Sequence, residues 1–371
     1  MSLDVFRGLT ILLMIVVNAS GEGSFVQLQH SAWNGWTLTD LVFPFFLFIT
    51  GVSLTFSFAS RLKDDESRLG LLPHIVRRSA IIFAIGLLIN AFPRYHLATW
   101  RIPGVLQRIA LCYLAGSVLY LWTGVRTRWA VIAGLLVGYW LLMRFVPVPG
   151  FGVYGGGVPG VDIPLLDPDR NLVAWLDRRL MWGHLYERVR DPEGLLSTLP
   201  AIANTLFGVA AGEWIRGLRG DPEKLLRRLV AAGVACVATG ELWSVSFPFN
   251  KKLWTSSYVL LTVGLAMISL AACYWLLDVK KRRGGWTVIP LVFGTNCIFA
   301  YAFSEFAAIA SVTFKFHFDG RLVNCENLIR SFTFDHISQP QLSELGYAVF
   351  YAGFCWFVTW LLYRRKIFLK I

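Results

Sequence analysis

The chain has 371 residues, 56% of them hydrophobic and only 16% charged, with a mean hydropathy of +0.56. A soluble domain carries about a quarter charged residues, so this composition excludes an ordinary soluble enzyme. Repeated apolar runs of about 17–25 residues read as helices crossing a bilayer. The net charge of +12 is gathered between those runs, so it reads as a topology signal and not as a nucleic-acid footprint.

The spacing predicts an all-α polytopic membrane protein with about ten spans, near 3–20, 39–60, 75–92, 104–123, 129–147, 197–215, 229–248, 253–277, 287–311 and 342–363. The alternating ten-residue pattern of a membrane β-barrel is absent. No cleavable signal is visible, because the first run retains Asp4 and Arg7 and reads as a permanent span. Five short segments, near 61–78, 124–128, 216–228, 278–286 and the C-terminal tail, hold 20 basic residues, Lys63 and Lys370 among them. The positive-inside rule then puts both termini in the cytoplasm and His30 on the outer face. The whole chain reads as one domain with a long outer loop at 148–196. The first half of that loop has turn chemistry and no period. Its second half, Asn171 to Tyr186, reads as a short amphipathic helix at the membrane surface. The six cysteines show no paired spacing, so neither a disulfide framework nor a metal site is indicated.

Span one carries Asp4, Arg7 and Asn18. At 100° per residue, Asn18 lies about 20° round the helix from Arg7 and Asp4 about 60°, so all three share a face. An i,i+3 ion pair with snorkelling accounts for Asp4 and Arg7, and interhelical hydrogen bonding accounts for Asn18. The alternative is a polar stripe, about 16 Å from Arg7 to Asn18 at 1.5 Å per residue, lining a cavity that reaches His30.

Residues 30–51, HSAWNGWTLTDLVFPFFLFITG, place His30, Trp33, Asn34, Trp36 and Asp40 at the mouth of span two. If 30–34 is helical, His30, Trp33 and Asn34 face the same way. The tryptophans also suit an aromatic belt, and Thr37-x-x-Asp40 resembles a capping box. Together these residues suit acyl transfer. A neutral imidazole can act as base or carry an acyl group, Asp40 can orient it, and Asn18 or Asn34 can donate to an oxyanion. No G-x-S-x-G elbow, H-E-x-x-H or P-loop is present. A transporter or flippase for a polar envelope substrate is the alternative from another class, although no internal repeat joins the two halves.

Five segments carry a resemblance: LDVFRGLTILLMIVVN, the 30–51 stretch, RIPGVLQRIA, DPEGLLSTLPAIANTLFGVAAG and FPFNKKLWTSSYVLLTVGLA. In this order they resemble the heparan-α-glucosaminide N-acetyltransferase family and its bacterial homologues, from Leu3 to about Glu305. The resemblance implies acetyl transfer from cytosolic acetyl-CoA to an amino sugar or glycan across the membrane. It implies His30 as base or acetyl carrier, with Asn18 as its helper, no metal, and a homodimer. It also places the chain in a bacterial inner membrane, where heparan sulfate is not the expected acceptor. With Asp40 these form the expected catalytic set. Arg7 and Asp4, with Arg101, Gln107 and Arg108 of RIPGVLQR, are the expected acetyl-CoA contacts, although the last three also fall near the outer, acceptor face. Trp33, Asn34, Asp191, Glu193, Asn250, Lys251 and Trp254 are the expected acceptor contacts, with capping of span six as the other reading of Asp191 and Glu193.

Overall fold

The computed structural model describes residues 1–62, 67–150 and 166–369. Lys63, Lys370 and most of the turn-rich half-loop (151–165) lie outside the described residues. The helices are α1 (Ser2–Ala19), α2 (Leu38–Arg61), α3 (Leu71–Ala91), α4 (Val105–Trp122), α5 (Val125–Phe145), α6 (Leu172–Met181), α7 (Thr198–Gly217), α8 (Pro222–Ser244) and α9 (Ser256–Tyr274). After a π-turn that extends α9 to Val279 come α10 (Val288–Thr295) and α11 (Cys297–Thr313), then α12 (Cys325–Thr333) and α13 (Pro340–Arg364). A short antiparallel hairpin, β1 (Lys315–Phe318) with β2 (Arg321–Asn324), joins α11 to α12.

Among the described residues, seven helices are long and apolar enough to cross a membrane: α1 to α5, α9 with its extension, and α13. The region expected as one span at 287–311 is broken at Asn296, where the α10 and α11 arms bend by 80°, and counting it gives eight. The break is stapled from the C-terminal segment: Asn296 Nδ2 donates to Ile367 O at 3.1 Å and its Oδ1 accepts from Leu369 N at 2.9 Å. Helices α7 and α8, where sequence placed spans six and seven, are 20 and 23 residues long but are not among the helices apolar enough to cross alone. For α7 the reason is its position. It is buried along most of its length, so its polar groups face protein and not lipid.

Helix α2 is the central element, buried over most of its 24 residues. Its contact with α7 depends on Gly51 and Gly208: a Cβ on Gly51 would lie 1.9 Å from Thr205 O, and one on Gly208 2.0 Å from Phe48 O. Small residues here let two helix backbones touch. Side-chain contacts sort the helix ends. Ser2 N donates to Asp278 Oδ2 at 3.2 Å, and Arg216 Nη1 donates to Thr55 O at 3.2 Å and Tyr120 Oη at 2.9 Å. The start of α1 therefore meets the end of α9, and the ends of α2, α4 and α7 meet one another. This is the amino-terminal end of the bundle. The opposite end carries residues 18–37, 92–104, the described part of 146–197 and 245–255. The surface helix expected over 171–186 is α6, which stops at Met181.

Candidate active site

Asp40 organises the far end of the bundle. As the third helical residue of α2 it closes a capping box with Thr37, which satisfies an otherwise orphan helix-start donor. Its Oδ2 accepts from Thr37 N at 3.0 Å and Ser31 N at 3.1 Å. Its Oδ1 lies 2.8 Å from His30 Nδ1. The capping and imidazole-orienting readings therefore coexist, one on each oxygen. Pro44, lacking an N–H, leaves the Asp40 carbonyl without its helical partner, and the Tyr258 hydroxyl donates to that oxygen instead. Tyr258 is a support that the sequence reading did not single out.

The expectation of a helix over 30–34 is corrected: these residues form an irregular turn. Gly35 adopts φ +99°, in the left-handed region that a side chain disfavours, and its N–H donates to Phe249 O at 2.8 Å. Helical spacing is therefore not what brings the cluster together. His30 stays half exposed, at 51% of its side chain, while Asp40 beneath it is 1% exposed. Trp33 turns away. Its Nε1 donates to Leu166 O at 2.7 Å, and Arg190 and Lys252 lie 5.2 and 5.8 Å from its ring centroid. Trp36 is exposed.

The NKKLW segment supplies the next layer. Asn250 is buried, its Nδ2 donating to Asn34 Oδ1 at 3.1 Å and its Oδ1 accepting from Leu253 N at 2.9 Å. Trp254 is buried too and donates through Nε1 to Asn204 Oδ1 at 2.9 Å. These two stand beneath the surface, as supports that present Lys251. Its Nζ lies 3.0 Å from His30 Nδ1, 3.4 Å from Nε2 and 3.5 Å from Asp40 Oδ1. Burial pushes the Lys251 ammonium below the usual lysine range, against the opposing pull of Asp40 and Glu193.

Glu193 belongs to a second cluster. Arg101 Nε and Nη2 clamp Asp191 at 2.9 and 2.8 Å, and Nη2 also reaches Glu193 Oε2 at 2.5 Å. Burial opposes the guanidinium charge, but the Asp191 and Glu193 carboxylates outweigh it and raise the Arg101 pKa further. Asp191 also accepts from Tyr186 N and Glu193 N at 2.8 and 2.9 Å. Arg108 is fully buried, stacks 4.8 Å from Trp254, and donates to Gly194 O at 3.0 Å and Ser197 Oγ at 2.5 Å. Gln107 is buried beside Gly86 and Gly104. Asp177 on α6 is wholly buried; its Oδ1 accepts from Leu195 N at 2.9 Å and its Oδ2 has no hydrogen-bond partner among the described residues. Burial pushes its carboxyl up to about 7, with Asp191 adding to the effect.

Asn18 donates through Nδ2 to Glu305 Oε1 at 2.9 Å. Glu305 was missed by the sequence reading, although the signal was present: it is the only charged residue between Val288 and Thr313, and an ionisable group inside an apolar helix is a functional candidate by default. Glu305, Glu193 and Arg101 all lie within electrostatic reach of Tyr301. Lys251 is likewise within reach of Glu193.

Arg7 and Asp4 stand at the other end. Arg7 Nη1 meets Asp4 Oδ1 at 3.1 Å and Gly294 O at 3.1 Å, and Nη2 donates to Ser53 Oγ at 2.7 Å. Both residues line a cavity of about 380 Å³, with Tyr274 and Asp278 on its wall. A second cavity, of about 530 Å³, lies beyond Phe56 and is lined by Arg216, Arg219 and Glu213. The five residues expected at the donor therefore divide, with Arg7 and Asp4 at one end and Arg101, Gln107 and Arg108 at the other.

A family model for the catalytic region of heparan-alpha-glucosaminide N-acetyltransferase matches residues 1–235. The Homo sapiens protein of that name is 31% identical over 418 residues, covering all of this chain and 59% of its own length. The Mus musculus protein is 34% identical over 349 residues, covering 81% of this chain and 52% of its own. The chain thus spans a little over half the length of the curated relatives it matches.

Proposed function

The chain belongs to the heparan-alpha-glucosaminide N-acetyltransferase family, and from that premise we propose that it moves acetyl from acetyl-CoA to an amino sugar or glycan amine. The donor enters at the amino-terminal end of the bundle, from the cytoplasm, and the acceptor reaches the opposite, outer face. The basic segments at the amino-terminal end support this orientation, with both termini inside and the protein in a bacterial inner membrane. The cavity beside Arg7 supports the donor's point of entry.

One observation carries the reading: a half-exposed imidazole is fixed through Nδ1 by a buried carboxylate. With the proton held on Nδ1 by Asp40, the Nε2 lone pair faces the substrate. It can take the amine proton as base or accept the acetyl group before passing it on. Lys251, packed against the ring, supplies positive charge for the oxyanion that forms when the thioester carbonyl is attacked. In the net reaction the acceptor N–C bond forms, the C–S bond breaks, and the amine proton ends on the CoA thiol. Arg101, Asp191 and Glu193 hold the wall of the acceptor side, while Gln107, Arg108, Asn250 and Trp254 support it from beneath.

The test uses sealed proteoliposomes. Labelled acetyl-CoA is confined to the face bearing the termini and glucosamine to the other. Labelled N-acetylglucosamine should accumulate on the glucosamine side. Product formed only when both substrates share a face would sink the transmembrane reading.

A further inference from the structure

Glu305 is an acidic group set within an apolar helix. Among the described residues its hydrogen-bond partner is the Asn18 amide, and no lysine or arginine lies within ion-pair distance. The cation within electrostatic reach is Arg101, which is already held by Asp191 and Glu193. A carboxylate offers about four lone-pair positions, and one neutral amide fills a single position without cancelling charge. Such a charge in an apolar helix costs about 2.5–3.5 kcal/mol even on the gentle insertion scale.

A cavity of about 450 Å³, within the size range of small-ligand sites, is lined by Asn18, the hydrogen-bond partner of Glu305, and by Ala308, one helical turn beyond Glu305. Tyr347 and Tyr351 line it with nearly parallel rings, 21° apart, and Arg330 lies 3.9 Å over the Tyr347 ring. Glu326 completes a wall of aromatic faces and mixed charge, of the kind that suits the flat apolar face and polar rim of a sugar. The tryptophans proposed from sequence do not offer this: Trp33 spends its N–H on Leu166, and Trp254 is buried.

We infer that this cavity receives the amino-sugar end of the acceptor and that Glu305, held by Asn18, pairs with its ammonium group. Glu305 would then be the residue that selects amines over hydroxyls. An ammonium compensates the carboxylate, whereas a hydroxyl leaves it without a cation, and sites discriminate most strongly against ligands that leave their polar groups unpaired. The assignment rests on the transferase reading for its chemistry, but it can be tested by binding alone.

The experiment measures glucosamine and glucose binding to the full-length protein in detergent, by calorimetry or saturation-transfer NMR. Wild type should prefer glucosamine about tenfold or more, as expected for a charge-assisted pair. Glu305→Gln should abolish that preference and leave glucose binding unchanged. Glu305→Asp, which keeps the charge, should retain part of it. Ala308→Phe, which fills the cavity from α11, should weaken both sugars. No preference in wild type, or a preference that survives Glu305→Gln in protein with an unchanged melting curve, overturns the inference. Should Glu305→Gln fail to fold, Ala308→Phe decides, and undiminished glucosamine binding there overturns it. Preferential binding without acetyl transfer by wild type would sink the transferase reading and leave the amine site standing.

Discussion

The two ends of the bundle hold their charges by different means. At the His30 end, charge is fixed by charge: Asp40 against His30 and Lys251, and Asp191 and Glu193 against Arg101, with both Asp carboxylates almost wholly buried. At the Arg7 end, the Arg7 guanidinium is shared among a partly exposed Asp4, a backbone carbonyl and a serine hydroxyl, beside open cavities of about 380 and 530 Å³, and the carboxylates paired there, Asp4 with Arg7 and Glu213 with Arg128, stay partly exposed. The first arrangement is what chemistry needs, since groups preset for a transition state need not reorganise during the reaction. The second suits binding and release of a large, flexible, anionic molecule. This difference is the basis for placing the reacting carbonyl at one end and the donor's phosphates at the other.

The comparison can be broken most forcefully at Arg101. Arg101→Ala leaves Asp191 buried without its cation, and the expected loss is about 3–5 kcal/mol of stability, read as a fall in melting temperature in detergent. An unchanged melting curve would mean that charge pairing does not hold this end together. Asp40→Asn is the sharper test of chemistry. The amide can still cap α2 but cannot hold the imidazole proton on Nδ1, so kcat should fall about a hundredfold or more with little change in acceptor KM. At the other end, Arg7→Ala should weaken acetyl-CoA binding about tenfold and leave glucosamine binding as it was; the reverse pattern would remove the donor from that cavity.

A further expected effect is a pH dependence at Asp177. Its carboxyl is pushed from 3.8 to about 7 by burial, so the folded protein keeps a proton that the unfolded chain releases. Stability is therefore full below about pH 4, falls as the pH rises toward 7, and is flat above that, as far as this group is concerned. Asp177→Asn should remove that slope. A slope that persists in the variant would assign it to another group.

Much of the site was legible as residue types, and less of it as geometry. His30, Asp40 and Lys251 stand out in sequence because polar groups are scarce at the mouths of apolar runs, and the fold brings the three within 3.5 Å of one another. The helical spacing read into 30–34 failed because Gly35 turns the chain and ties it to Phe249, a contact more than 200 residues away in sequence. Asn250 and Trp254 read as acceptor contacts near the outer face, and the fold buries both, because composition does not distinguish a buried support from an exposed contact. The break at Asn296 was hidden inside a continuous apolar run that contains no proline at that point, and its staple comes from the C-terminal segment. The spans expected at 197–215 and 229–248 are helices that do not reach the apolarity of the other seven; α7 is buried in protein, and a helix so placed need not match the bilayer. Glu305 was passed over because one carboxylate barely lowers the mean hydropathy of its run.

The central claim is that His30 performs acetyl transfer, and it is tested most directly by following label from acetyl-CoA to glucosamine with purified wild type beside His30→Ala. The variant should still fold, because the imidazole is half exposed and Asp40 keeps Lys251, Ser31 and Thr37 as partners, yet transfer should fall about 10²–10⁴-fold. Transfer at the wild-type rate by a folded His30→Ala protein would contradict the account.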